Sequence, residues 1–146
     1  MNTNVLPSTR SPLAAVIDPD AYAAGTYTSD WVSMAVFSAV MAVVFAGDLG
    51  TAATVNAKIE EAKDGSGTDA QNLAGKAITE LTKVGTDDNK QAVINVRAEE
   101  LTETFTHVRL SITVATATSD AGGVIVGFDA RFEPATQAAS VAEVVA

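Results

Sequence analysis

This chain of 146 residues has no cysteine, so a disulfide framework, a thiolate metal site and a thiol nucleophile are all excluded. Stability must come from packing, hydrogen bonding and assembly. Positive charge is also scarce: nine Lys and Arg stand against 18 Asp and Glu, a formal net charge of −9. That balance repels a phosphate backbone, which argues against direct nucleic-acid binding. Aromatic residues are only 5% of a chain that is 47% hydrophobic, so the apolar content is mostly Ala and Val, which favours sheets. No stretch has the length of a membrane helix. The longest apolar run, Trp31 to Ala46, is closed by Asp30 and Asp48 and is shorter than the roughly 20 residues a span requires. No Lys or Arg flanks it to set an orientation. Near the N-terminus Pro7, Arg10, Pro12 and Asp18 interrupt any signal-peptide pattern, which points to synthesis in a cytoplasm or release inside a particle.

Catalytic signatures are missing as well. The sequence holds no GxGxxG, phosphate-binding loop, HExxH or GxSxG, so an enzyme reading and a cofactor have no support. His107 is the only histidine, and nothing nearby marks a triad around it. The pairs Glu60-Glu61, Asp87-Asp88 and Glu99-Glu100 would suit glycosidic acid and base work only if folding set two carboxylates at the right separation. Neighbours on a strand point to opposite faces, and these pairs read more simply as solvating charges. Asp64, Ser66, Thr68 and Asp69 imitate a calcium loop, but Asp69 and Gly75 occupy the positions that need Gly and Glu. A plain turn is the better reading, with no metal.

What is present is alternation. Val108, Leu110, Ile112 and Val114 share one parity against Arg109, Ser111 and Thr113. Val124, Val126, Phe128, Ala130 and Phe132 share another against Asp129, Arg131 and Glu133. With Ser119-Asp120-Ala121-Gly122-Gly123 between them, the two runs predict an antiparallel hairpin with both apolar rows facing the core. Further strands are expected over 25–31, over the apolar run of 31–46 as a strand buried on both faces, and over 52–62, 76–81 and 91–97. The spacing of Thr68 and Gln71 suits a capping box, although Gly75, Thr79 and Thr82 disfavour a helix there. One helical turn fits 98–104.

About seven to eight strands with turn signals between them predict an all-β fold, an antiparallel β-sandwich or jelly-roll-like barrel. Residues 1–24, with Pro7, Pro12 and Pro19, read as an extended N-terminal arm. Residues 25–135 form the domain, and 136–146 a C-terminal arm or tail.

The segments Gly75-Lys76-Ala77-Ile78-Thr79-Glu80-Leu81, Val96-Arg97-Ala98-Glu99-Glu100-Leu101, Val108-Arg109 and Gly127-Phe128-Asp129-Ala130-Arg131-Phe132-Glu133-Pro134 resemble small proteins encoded in structural clusters of tailed phages, prophages and gene transfer agents. The resemblance spans roughly residues 25 to 135, and its motifs are structural. It implies a virion component of the head decoration, cement or spike-base type on the outer capsid, made in the bacterial host cytoplasm. Implied partners are a major capsid protein and the chain itself, as a trimer or pentamer. No catalytic residue is carried over. Candidate contacts are Arg10 and Tyr22 in the arm, and Arg109, Asp129 and Arg131 on the outward parity of the last two strands. A guanidinium such as that of Arg131 docks a neighbour with geometric selectivity, or else forms a surface ion pair with Asp129 and Glu133. The alternatives are a tail tube or tail-completion protein, and a carbohydrate-binding module using Trp31, Tyr22 and Tyr27.

Overall fold

The computed structural model describes residues 5–145; residues 1–4 of the expected arm and Ala146 of the tail lie outside the described residues. After a four-residue helix, Pro7–Arg10, come ten strands: β1 (Leu13–Tyr22), β2 (Gly25–Thr28), β3 (Val32–Ser33), β4 (Phe37–Ala46), β5 (Thr54–Ala62), β6 (Gln71–Ala77), β7 (Leu81–Thr82), β8 (Gln91–Arg97), β9 (His107–Ala115) and β10 (Ser119–Ala130). A single helical turn covers Ala98–Glu100. One sheet, called here the front sheet, has the order β1-β10-β4-β8; the back sheet runs β2-β9-β5-β6, with β3 added to β9 and β7 to β5. All pairings are antiparallel.

Setting aside the two-residue strands β3 and β7 leaves eight. The first pairs with the last (β1 with β10), the second with the seventh (β2 with β9), the third with the sixth (β4 with β8) and the fourth with the fifth (β5 with β6). This nesting is the double-sheet jelly roll, so the expected all-β sandwich is the observed fold.

The core lies between the sheets. Val108, Leu110, Ile112 and Val114 of β9 are all buried, as are Val55, Ala57 and Ile59 of β5. From the front sheet they meet Val40, Ala42 and Val44 of β4, Ile94 and Val96 of β8, and Ala15 and Ile17 of β1. The alternation predicted for 52–62, 91–97 and 108–114 holds. The helical turn expected within 98–104 is present too.

Three expectations are corrected. Residues 13–22 are not arm but the edge strand β1, because Leu13, Ala15 and Ile17 pair with β10. Pro19 is tolerated there since it falls at a register shift between Ile17 and Asp20 on an edge. The apolar run of 31–46 is not one strand buried on both faces. It breaks into β3, a turn and β4, and β4 buries only alternate residues. The strand expected at 76–81 is displaced, with β6 ending at Ala77 and β7 starting at Leu81.

The largest correction concerns the hairpin. β9 and β10 belong to different sheets and face each other across the core, and Ser119 to Gly123 is the start of β10, not a turn. Ser119, Ala121 and Gly122 at the start of β10 are buried, and from Gly123 on burial alternates: Gly123, Ile125 and Gly127 are buried, while Val124, Val126 and Phe128 lie half-buried on the opposite, outer side. The two glycines hold core positions because larger side chains from elsewhere fill the space. A Cβ on Gly123 would come within 2.6 Å of Leu110 Cδ2, and one on Gly127 within 2.4 Å of the Phe37 ring.

Candidate interaction surface

Reversing the parity of β10 turns its large apolar residues into a surface. Hydrogen-bonded register aligns them in rows across the front sheet. One row is Val16, Val124, Val43 and Val93. The next is Leu13, Val126, Met41 and Asn95. Phe128, Ala39 and Arg97 form a third on one side, and Gly122, Phe45 and Gln91 close the other. Phe45 is 46% exposed and Val93 53%, and the other apolar members of these rows are half-buried, so the face is apolar and open to solvent chiefly at Phe45 and Val93. Arg97 is its only charged member. At the Gly122 end, Pro19, Ala21, Phe45, Gln91 and Gly122 line an open cleft of about 450 Å³ that Asp20 and Asp120 also border.

The outer face of the back sheet has the opposite character. Thr26 and Thr113 hydroxyls meet at 3.0 Å, and Arg109 Nε donates to Glu60 Oε2 at 2.8 Å. The Arg109 guanidinium lies 4.5 Å from the centre of the Trp31 ring, and Lys58 approaches Glu60 at 3.4 Å. On the other side of Trp31, its indole edge is so close to Gly67 that a Cβ there would sit 3.0 Å from Nε1. The rings of Tyr22 and Tyr27 lie against each other with centroids 4.1 Å apart and planes tilted by 38°. The three aromatics named for glycan binding are therefore engaged within the chain, Trp31 under a guanidinium and the tyrosines in a pair.

The five contact residues named from the sequence do not form one site. Arg10 and Glu133 pair at 3.7 Å. Asp129 is the penultimate residue of β10 and Arg131 directly follows its end, where the Arg131 amide donates to the Val36 carbonyl. Arg131 makes no ion pair among the described residues, so the expected triplet with Asp129 and Glu133 does not form; Glu133 turns to Arg10 instead. Tyr22 ends β1 at the opposite pole of that strand, its hydroxyl donating to the Asp18 carbonyl. Burial, then Asp20 and Asp18, raise its pKa. Arg109 is on the back sheet, so it shares no row with Asp129 and Arg131. The segment after β10 runs beside the N-terminal residues: Gln137 accepts from the Leu13 amide and donates to the Ser8 carbonyl, at 2.9 and 2.7 Å.

The acidic pairs act as ties. Glu61, expected as a solvating charge, is 1% exposed and accepts from Gln71 Nε2 and the Thr102 amide, both at 2.8 Å, and from the Thr102 hydroxyl. Asp88 accepts from the Leu49 amide and from Lys83, and those contacts lower its pKa. Glu100 is held low by Lys76 and the Arg97 amide. The Asp64 carboxylate of the calcium-like loop takes the Thr68 hydroxyl and the amides of Thr68 and Ser66, which lower its pKa; Asp69 pairs with Lys63 at 2.6 Å. Among the described residues there is no group of three His, Cys, Asp or Glu able to hold a metal ion. His107 Nδ1 faces the Thr106 hydroxyl at 2.8 Å.

The sequence matches no family model, and it matches no curated protein. Among solved structures it is similar to one titled infectious bursal disease virus Gt strain, with 11% identity, a TM-score of 0.44, and coverage of 94% of this chain and 37% of that one. It is similar also to a mutant VP2 protein of infectious bursal disease virus in derived T=1 particles, with 15% identity, a TM-score of 0.45, and coverage of 81% and 31%. The chain thus spans about a third of the length of each structure it is similar to.

Proposed function

We propose that this chain is a non-enzymatic virion structural protein that decorates or cements the outer capsid of a tailed phage or phage-like particle. Its partners in this reading are a major capsid protein and further copies of itself. The observation that carries it is the strand order, because the eight-strand double-sheet jelly roll recurs in viral capsid and lectin domains. Fold alone does not assign function. Between those two uses, the engagement of Trp31 by Arg109 and the pairing of Tyr22 with Tyr27 favour the capsid. The net charge of −9 suits a position outside the shell, away from packaged nucleic acid.

In this reading the capsid is contacted by the pole that carries Arg10, Asp129 and Arg131, together with the segments before β1 and after β10. Tyr22 and Arg109 are spent on contacts within the chain and serve it less well. Imaging of labelled particles assembled from the gene cluster that encodes the chain tests the role. The expected result is label on the outer head at regular positions, reduced at least tenfold by Arg10→Glu combined with Arg131→Glu. Label confined to the tail, or none on particles, overturns the reading.

A further inference from the structure

We infer that the outer face of the front sheet is closed by a second copy of this chain, related by a two-fold axis that lies along the face and crosses the strands at right angles at Ile125. The inference rests on the fold and not on the virion reading. Along β10 the outer residues run Gly122, Val124, Val126, Phe128. Such an axis reverses that order on the partner, so the Phe128 ring meets the cleft lined by Gly122, and Val124 meets Val126. On β4 the order Phe45, Val43, Met41, Ala39 reverses in the same way, setting Phe45 against Ala39 and Val43 against Met41. Large residues fall opposite small ones at both ends, which is the self-complementarity an isologous contact requires.

The area agrees with a second copy. Four strands about 4.8 Å apart and four rows about 6.8 Å apart give about 500 Å² per copy, or about 1,000 Å² together. That total is where specific interfaces begin. On a chain with net charge −9, the paired rows themselves contain no acidic residue, and the carboxylates of Asp20 and Asp120 border only the cleft at their Gly122 end. Arg97, the one charged member, falls opposite Gln91.

The pairing is two-fold, unlike the trimer or pentamer implied by the family resemblance. Light scattering on the full chain tests it. A mass twice the 15.0 kDa of one chain is expected at about 50 μM, falling to one chain in Val93→Glu and in Asn95→Lys. Both positions are on exposed β8 surface, and an unchanged circular dichroism spectrum confirms that each variant folds. Val84→Glu, on a loop away from the face, should remain paired. A monomeric parent, a trimer or pentamer, or variants that stay paired would overturn the proposal.

Orientation has its own readout, helped by the absence of native cysteine. With nitroxides on Asn95→Cys or Arg97→Cys, the reversed rows place label 97 farther from its mate than label 95, by about 10 Å for sheets packed about 10 Å apart. Equal distances would overturn the two-fold arrangement.

Discussion

The outer faces of the two sheets have the same strand geometry but opposite chemistry. On the back sheet each row carries polar side chains, with Thr26 on Thr113 and Arg109 held between Glu60 and Trp31. On the front sheet the equivalent rows are Val16, Val124, Val43 and Val93, followed by Val126 and Met41. A sheet face left to water is served by the first pattern, whose side chains pair with one another or reach solvent, with the Ser111 hydroxyl as the exception: it is buried without a partner. The second pattern leaves apolar area uncovered, and a contiguous patch of this kind marks a place where something binds. The difference teaches that one side of this sandwich is chemically suited to water and the other to a contact.

Breaking the core beneath both faces has the largest expected effect. Leu110→Ala, at a fully buried position, should cost about 2–5 kcal/mol in chemical denaturation. Gly123→Val pushes a side chain into Leu110 and should cost about 1–3 kcal/mol, whereas a hairpin turn at that position would tolerate the change. On the back face, Arg109→Ala removes an ion pair and the cover of Trp31, an expected loss of about 1 kcal/mol, read by denaturation and by a change in Trp31 emission. On the front face, Val126→Thr should change the stability of the isolated chain by no more than about 0.5 kcal/mol. A loss as large as that of Leu110→Ala would place Val126 inside.

The smallest effect is on pH. Asp88 has a lowered pKa, first from the Leu49 amide and then from Lys83. A carboxyl lowered on folding stabilises the native state fully above its unfolded value of about 3.9, and that contribution is lost as pH falls through the lower folded value. Its carboxyl carbon shift should therefore titrate below about 3.9, with no change in this tie between pH 5 and 8. A midpoint at or above the unfolded value would contradict it.

Much of this could be read from sequence. The alternations in β5, β8 and β9 were legible because one face of each meets the core and the other is polar, which is the condition under which period two is informative. In β10 both parities are apolar or small, so alternation alone could not choose a face. The larger side chains suggested the core, but Leu110 and Phe37 already fill the space opposite Gly123 and Gly127. Gly122-Gly123 reads as a turn for the same reason, since the demand for a residue without a side chain comes from distant packing. Hidden also was the jelly-roll order, in which sequence neighbours β9 and β10 separate into two sheets. Of the surface, Val43 and Phe45 were visible only as members of a uniformly apolar run. Glu61 had one available signal, its parity: it is out of step with Glu60 and in step with the buried Val55, Ala57 and Ile59.

The central claim is that β10 lies between β1 and β4 with Val124, Val126 and Phe128 turned outward. Backbone proton contacts in the labelled protein test it directly by nuclear magnetic resonance. Cross-strand contacts of Val126 with Met41 and of Val124 with Val43 are expected, following the register of β10 on β4. A ladder of contacts between β9 and β10, as in a hairpin closed at Ser119 to Gly123, would contradict the account.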